Sequence, residues 1–148
     1  IDIVLLNHGG IRSEISTGDV TARTAYEVMP FENLIVVTKM NGPAVRALVS
    51  FLIRSERAHP IAGMEIVLDR NKDLQSVTIQ GKPFNENRDY YVATADYLVK
   101  GGDDMGFFTV RDTVINLDYK VRNAMIDYFK KIDTLKPRVD GRFTQLKQ

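Results

Sequence analysis

The stretch DIVLLNHGGIR, Asp2 to Arg12, gives the first bearing on the fold. Its front half is the apolar run Ile3-Val4-Leu5-Leu6, and its back half breaks into Gly9-Gly10 before ending on Arg12. A run of that length closed by two glycines reads as a buried strand entering a loop. Glycines in such a loop expose backbone N–H groups, and the arginine beyond them offers an anion a forked, charge-assisted contact. Asn7, Gly9, Gly10 and Arg12 are therefore candidate contact or loop-shaping positions. The bland alternative is a tight bend with a surface arginine, and a short glycine loop does not by itself separate the two. The chain also opens at Ile1, straight into this run and with no signal-peptide pattern, as expected of one piece of a longer polypeptide.

Working outward, Thr21 to Val28 has the composition of a short helix capped by Thr21 and stopped by Pro30. Leu34 to Lys39 is β-branched and reads as a strand. Asn41-Gly42-Pro43 starts the next helix, with proline in the first turn, where its missing N–H costs nothing. Val45, Leu48, Val49 and Leu52 then make one buried stripe. The polar stretch from Arg54 to Pro60 reads as a loop. Met64, Ile66 and Leu68 alternate, as do Val77 and Ile79, and Asp69 to Asp73 supplies the turn of a hairpin between them. Tyr90 to Thr94 is a further strand, followed by a short helix that Gly101-Gly102 ends. Asp118 to Ile132 reads as the clearest helix, capped by Asp118, with Val121, Ala124, Met125, Tyr128, Phe129 and Ile132 facing inward. A loop from Leu135 to Asp140 leads to a last short strand from Gly141 to Leu146. The sum is mixed α/β with hairpin-like pairs, not strict βαβ alternation.

Composition narrows the classes. The chain has 148 residues, 44% of them hydrophobic, and 20 Lys+Arg balance 19 Asp+Glu to a net charge of +1. One domain fits that length, burying roughly 70% of the surface its unfolded chain would expose. Interspersed charges of near-equal number argue against a basic nucleic-acid-binding slab and against an acidic tail. No apolar run reaches the roughly 18–20 residues of a membrane-spanning helix. With no cysteine there are no disulfides, thiolate metal sites or cysteine nucleophiles.

Two further stretches carry chemistry. Tyr97-Leu98-Val99-Lys100-Gly101-Gly102-Asp103-Asp104 sets an aromatic on a helix, a glycine turn and a carboxylate close together. A flat face beside an anionic hydroxyl acceptor is what a nucleoside requires; a glycine-capped helix with an Asp turn is the plainer reading. Met29-Pro30-Phe31-Glu32-Asn33 places Phe31 in a loop past a proline stop, where an aromatic is either a ligand contact or a core anchor. His8 and His59 lack any metal-ligand spacing, and adjacent Asp103-Asp104 is ordinarily a solvated turn. Ser13, Ser16 and Ser50 have no G-x-S-x-G context, and neither a P-loop nor a G-x-G-x-x-G is present. The chain carries no self-sufficient catalytic machinery.

Taken together and in order, these stretches resemble the C-terminal, substrate-binding domain of the 5′-nucleotidase / UDP-sugar hydrolase family. The resemblance runs from the Asn-x-Gly-Gly-Ile-Arg signature at Asn7 to Arg12, through the helix into Pro30-Phe31 and the Asn41-Gly42 start. It continues over VTIQGKP at Val77 to Pro83, Tyr91 to Leu98, Gly101-Gly102-Asp103 and Val139 to Arg142. It implies an α+β (mixed α/β) fold of four layers, α/β/β/α, with residues 1–148 forming one nucleotide-binding domain. It implies that Phe31 and Tyr97 sandwich a base, that Asp103 accepts from ribose hydroxyls, and that Asn7 and Arg12 make polar contacts, Arg12 toward the phosphate. Gly9, Gly10, Gly101 and Gly102 would shape the loops.

Hydrolysis in the family belongs to an N-terminal metallophosphoesterase domain holding two divalent metal ions of the zinc or manganese type. That domain, in cis or in trans, is the implied partner. This chain is expected to bind no metal, no nucleic acid and no membrane span, and to be inactive alone. An exported, periplasmic or cell-surface setting follows from the resemblance only. There are departures: Tyr97 stands where phenylalanine is frequent, and His8 where a small residue is common. The alternative to a nucleotidase domain is a non-catalytic module that keeps the fold to hold a small molecule or dock a partner; a lesser one is a metal site on His8 with Asp103-Asp104.

Overall fold

Two mixed β-sheets share one apolar core in the computed structural model, which describes residues 1–110 and 112–146. In chain order the elements are β1 (Ile3–Leu5), α1 (Ala22–Val28), β2 (Leu34–Met40), α2 (Gly42–Arg54), β3 (Ile61–Ala62), β4 (Met64–Leu68) and β5 (Leu74–Ile79). Then follow β6 (Lys82–Pro83), β7 (Tyr90–Ala95), α3 (Asp96–Val99), β8 (Thr113–Lys120), α4 (Val121–Lys131) and β9 (Phe143–Gln145). One sheet runs β3-β1-β7-β2-β8 and the other β6-β5-β4-β9. Each contains one parallel pair, β1 with β7 (Ile3 opposite Val92) and β4 with β9 (Ile66 opposite Phe143), among antiparallel neighbours. The mixed α/β class expected from the sequence stands.

Helix α2 shows how pattern becomes packing. Asn41 caps it by accepting the Ala44 N–H at 2.9 Å, and Pro43 sits in its first turn. Its stripe of Val45, Leu48, Val49 and Leu52 is buried together with Ile3, Leu5 and Val92 of one sheet and Met64, Ile66 and Ile79 of the other. Each such side chain, fully buried, contributes about 1.5–3 kcal/mol. Helix α1 begins as expected at a Thr21 cap, with Thr24 returning the bond to the Thr21 N–H, a reciprocal capping box.

The C-terminal third departs from expectation. Helix α4 starts at Val121 rather than Asp118, because β8 continues through Lys120, which pairs with Leu34 of β2. Asp118 lies inside that strand at φ +50° and caps nothing; its N–H takes the Asn116 side-chain oxygen at 2.8 Å. Tyr128 faces solvent, and the side chains buried in the first turn of α4 are the expected Val121 and the unexpected Arg122.

Candidate functional site

Asn7 lies just past β1, where residues His8–Gly10 make a single 3₁₀ turn. That turn uses the Gly10 N–H internally, on Asn7 O at 3.2 Å. The Asn7 side chain is buried, and its Nδ2 donates to Asp103 Oδ2 at 2.6 Å. Tyr97 Oη donates to the other oxygen, Oδ1, at 3.0 Å. Positions 7, 97 and 103 therefore form one hydrogen-bonded cluster around a carboxylate. Donating that bond to the negative charge raises the Tyr97 phenol above its ordinary value, so the ring stays neutral and donating.

The local backbone explains how the cluster is held. Helix α3 closes with Gly101 at φ +93°, a left-handed conformation that favours glycine. A Cβ on Gly102 would lie 2.4 Å from the Tyr97 ring, so the ring rests directly against this glycine. Asp103 itself is at φ +53°, ψ +33°, which for a non-glycine residue costs roughly 1–2 kcal/mol and aims its carboxylate at Asn7 and Tyr97. On the other side His59 Nδ1 accepts the His8 N–H at 3.1 Å. Burial lowers the His59 pKa, Asp103 opposes that, and His8 adds to it; the neutral imidazole is the form that accepts.

Phe31 and Arg12 make a second group. The Arg12 N–H is tied to Val28 O at 2.8 Å, and its guanidinium carbon sits 5.9 Å from the centre of the Phe31 ring. Both Phe31 and Tyr97 are more than two-fifths exposed, at 42% and 44%, so neither ring is spent on the core. Asn7 joins the two groups. It reaches Asp103, and with Leu6, Ile11, Met29, Phe31 and Val121 it lines an almost wholly apolar cavity of about 220 Å³. Tyr97 and Asp103 are outside that cavity wall.

The ring-bearing elements are also coupled through Asp96, at the start of α3 just before Tyr97. Its Oδ1 accepts the Leu34 N–H of β2 at 3.0 Å and its Oδ2 the Lys100 ammonium at 2.8 Å. Burial works to raise the Asp96 pKa, but the bonds from Lys100 and Leu34 together carry it below the ordinary carboxylate value. Asp96, Glu32 and Arg122 do not stand out in the sequence, where His59 reads only as a candidate metal ligand. Nothing in their spacing marks them, because each acts through partners about fifty to ninety residues away or through a loop.

Chemically, such a site offers ring faces, a fixed carboxylate edge and an exposed guanidinium. Among the described residues no three potential metal ligands come together. Both Asp103 oxygens already accept hydrogen bonds. The chain belongs to the 5′-nucleotidase C-terminal domain family, whose model matches residues 1–110. It is 28% identical over 134 residues to protein UshA of Yersinia enterocolitica, covering 88% of this chain and 24% of that protein. It is 30% identical over 159 residues to the trifunctional nucleotide phosphoesterase protein YfkN of Bacillus subtilis, covering 97% of this chain and 11% of YfkN. The 5′-nucleotidase precursor from Thermus thermophilus shares the fold, with a TM-score of 0.85 at 23% identity over 99% of this chain and 32% of that one. The chain thus spans about a quarter or less of the length of these curated relatives.

Proposed function

We propose that this chain is the nucleotide-holding domain of a metal-dependent 5′-nucleotidase-type phosphohydrolase. Phe31 and Tyr97 stack the base, Asp103 accepts from the ribose hydroxyls, and Asn7 and Arg12 contact the ligand, Arg12 on the phosphate side. The observation that carries the reading is the Asn7–Asp103–Tyr97 cluster: a carboxylate fixed beside a half-exposed ring that lies against a glycine. Among the described residues no three potential metal ligands come together, and the proposal assigns the hydrolytic metals to a partner metallophosphoesterase domain, in cis or in trans. An exported, periplasmic or cell-surface setting belongs to the same proposal.

Magnitudes suit transient holding. A base–aromatic stack is worth about 1–3 kcal/mol. A hydrogen bond to a charged group adds about 1.5–3 kcal/mol before ordering costs. The surplus corresponds to dissociation constants of roughly high micromolar to millimolar. Weak binding lets product leave, and the rate gain comes from positioning a phosphate for chemistry performed elsewhere.

Titration calorimetry of the purified chain against nucleosides, nucleoside monophosphates and plain sugars tests this. Saturable binding of the first two is expected, with no phosphate release when zinc or manganese is added. Phe31→Ala and Tyr97→Ala each weaken binding while leaving the melting temperature nearly unchanged, since both rings are exposed. Unfolding of both variants, or binding of sugars without bases, sinks the assignment.

A further inference from the structure

Arg122 is the largest fully buried side chain of the described residues, at 1% exposure, and the reading above gives it no task. A buried guanidinium is costly unless nearly all of its donors are met. Here it is met by one segment. Nη1 donates to three successive carbonyls, Met29 at 3.2 Å, Pro30 at 3.1 Å and Phe31 at 3.2 Å. Nη2 donates to the Glu32 carboxylate, which Lys120 also engages. The guanidinium carbon lies 3.9 Å over the ring of Tyr26 in α1, and only Nε lacks a partner among the described residues.

The segment between α1 and β2 keeps a main-chain bond to α1 through the Met29 N–H on Ala25 O at 3.0 Å. Its carbonyls instead point at the first turn of α4: three to Arg122, and Asn33 O to the Val121 N–H at 3.0 Å. Phe31 is the aromatic side chain that this segment exposes to solvent, between the exposed Pro30 and Glu32. Lysine, a point charge with no planar fork, does not span three carbonyls and a carboxylate at once.

We propose that Arg122 is the positioning residue for Phe31, holding the ring's loop by its main-chain oxygens so that the stacking face is presented already ordered. The inference rests on the nucleotide-holding reading. It adds that pre-organisation of one ring is built from a buried cation nearly a hundred residues away in sequence. An ordered ring loses less freedom on binding, which appears as affinity.

The test is a double-variant cycle read by titration of the purified chain with adenosine 5′-monophosphate, well below the melting temperature. Arg122→Lys is expected to weaken binding by about fivefold in the parent chain and to change nothing further when Phe31 is already alanine. Tyr26→Leu, which removes the exposed ring beneath the guanidinium, gives the same pattern with a step of about twofold, and serves if Arg122→Lys does not fold. If Phe31→Ala alone leaves affinity intact, the stacking reading itself fails and the inference falls with it. If Phe31→Ala weakens binding but the folded Arg122 and Tyr26 variants bind like the parent chain, the positioning role is overturned while the site stands. An equal loss from Arg122→Lys with and without Phe31 overturns it too, because the arginine would then act by another route.

Discussion

At the scale of single residues, the site depends on what Gly102 lacks. The Tyr97 ring occupies the space where a side chain at 102 would begin, at 2.4 Å, and from that seat its hydroxyl reaches Asp103. Gly102→Ala must therefore displace the ring, although the backbone there sits outside the left-handed region and accepts alanine. Nucleoside affinity is expected to fall as far as in Tyr97→Ala, by the roughly 1–3 kcal/mol of one stack. The control is the double variant Gly102→Ala with Tyr97→Ala, in which the methyl has room and no further loss occurs. Calorimetry on the three variants checks this; parent-like affinity in Gly102→Ala would mean that the ring's seat does not matter. Part of this was legible beforehand, since an aromatic, two glycines and an aspartate in one short stretch suggest a ring beside a carboxylate. That Asn7 completes the cluster from 96 residues away was not, because no local pattern encodes a contact between β1's exit and the α3 turn.

At the scale of elements, the loop from α1 to β2 is fastened to α4 through a carboxylate as well as through its carbonyls. Hydrogen bonds from Arg122 and then Lys120 hold the Glu32 carboxyl down to about 2. The unfolded chain takes up that proton near the ordinary value of 4.5, so between pH 4.5 and 2 the unfolded state binds more protons than the folded one. The stabilising contribution of Glu32 is thus fully present above pH 4.5 and is lost as the pH falls through about 2. Melting temperatures of the parent chain and of Glu32→Gln are expected to differ at pH 6 and to converge toward pH 2. A gap of constant size across that range would show that the ion pair carries nothing. The same region shows where element prediction fails. Thr113, Ile115, Leu117 and Tyr119 alternate with Val114, Asn116 and Asp118 in a strand-like pattern, yet β8 is an edge strand with Val114, Ile115 and Leu117 all at least 40% exposed. Without one buried face its alternation marks no core, so no strand stands out there and Asp118 reads as the cap of the helix that follows. Helix α2 and the β4–β5 hairpin were legible for the converse reason, that each buries a single stripe.

At the scale of the whole molecule, the two sheets cannot be separated energetically, because α2 supplies one stripe to a core that both enclose. Strands β1 and β7 from one sheet and β4 and β5 from the other contribute side chains to the same buried cluster as Val45, Leu48 and Leu52. Sequence periodicity revealed that α2 had a buried face; it did not reveal that the face is shared, which needs the long connections that return β7 beside β1 and β9 beside β4. A shared core predicts one cooperative unfolding transition, in which calorimetric and van't Hoff enthalpies agree. Leu48 is fully buried, and Leu48→Ala is expected to destabilise the chain by about 2–5 kcal/mol. Because the loss falls on the common core, amide exchange should quicken together in β1, β7, β4 and β5 rather than in one sheet. The ring-bearing segments have their own hydrogen bonds, from Leu34 of β2 to Asp96 of α3 and from Arg122 of α4 to the Phe31 carbonyl, so the folded fraction of Leu48→Ala in the cold should bind nucleoside with parent-like affinity. Exchange that quickens in a single sheet would show two independently stable halves, and a large loss of affinity in the folded variant would tie the site to core packing rather than to the loop contacts that surround it.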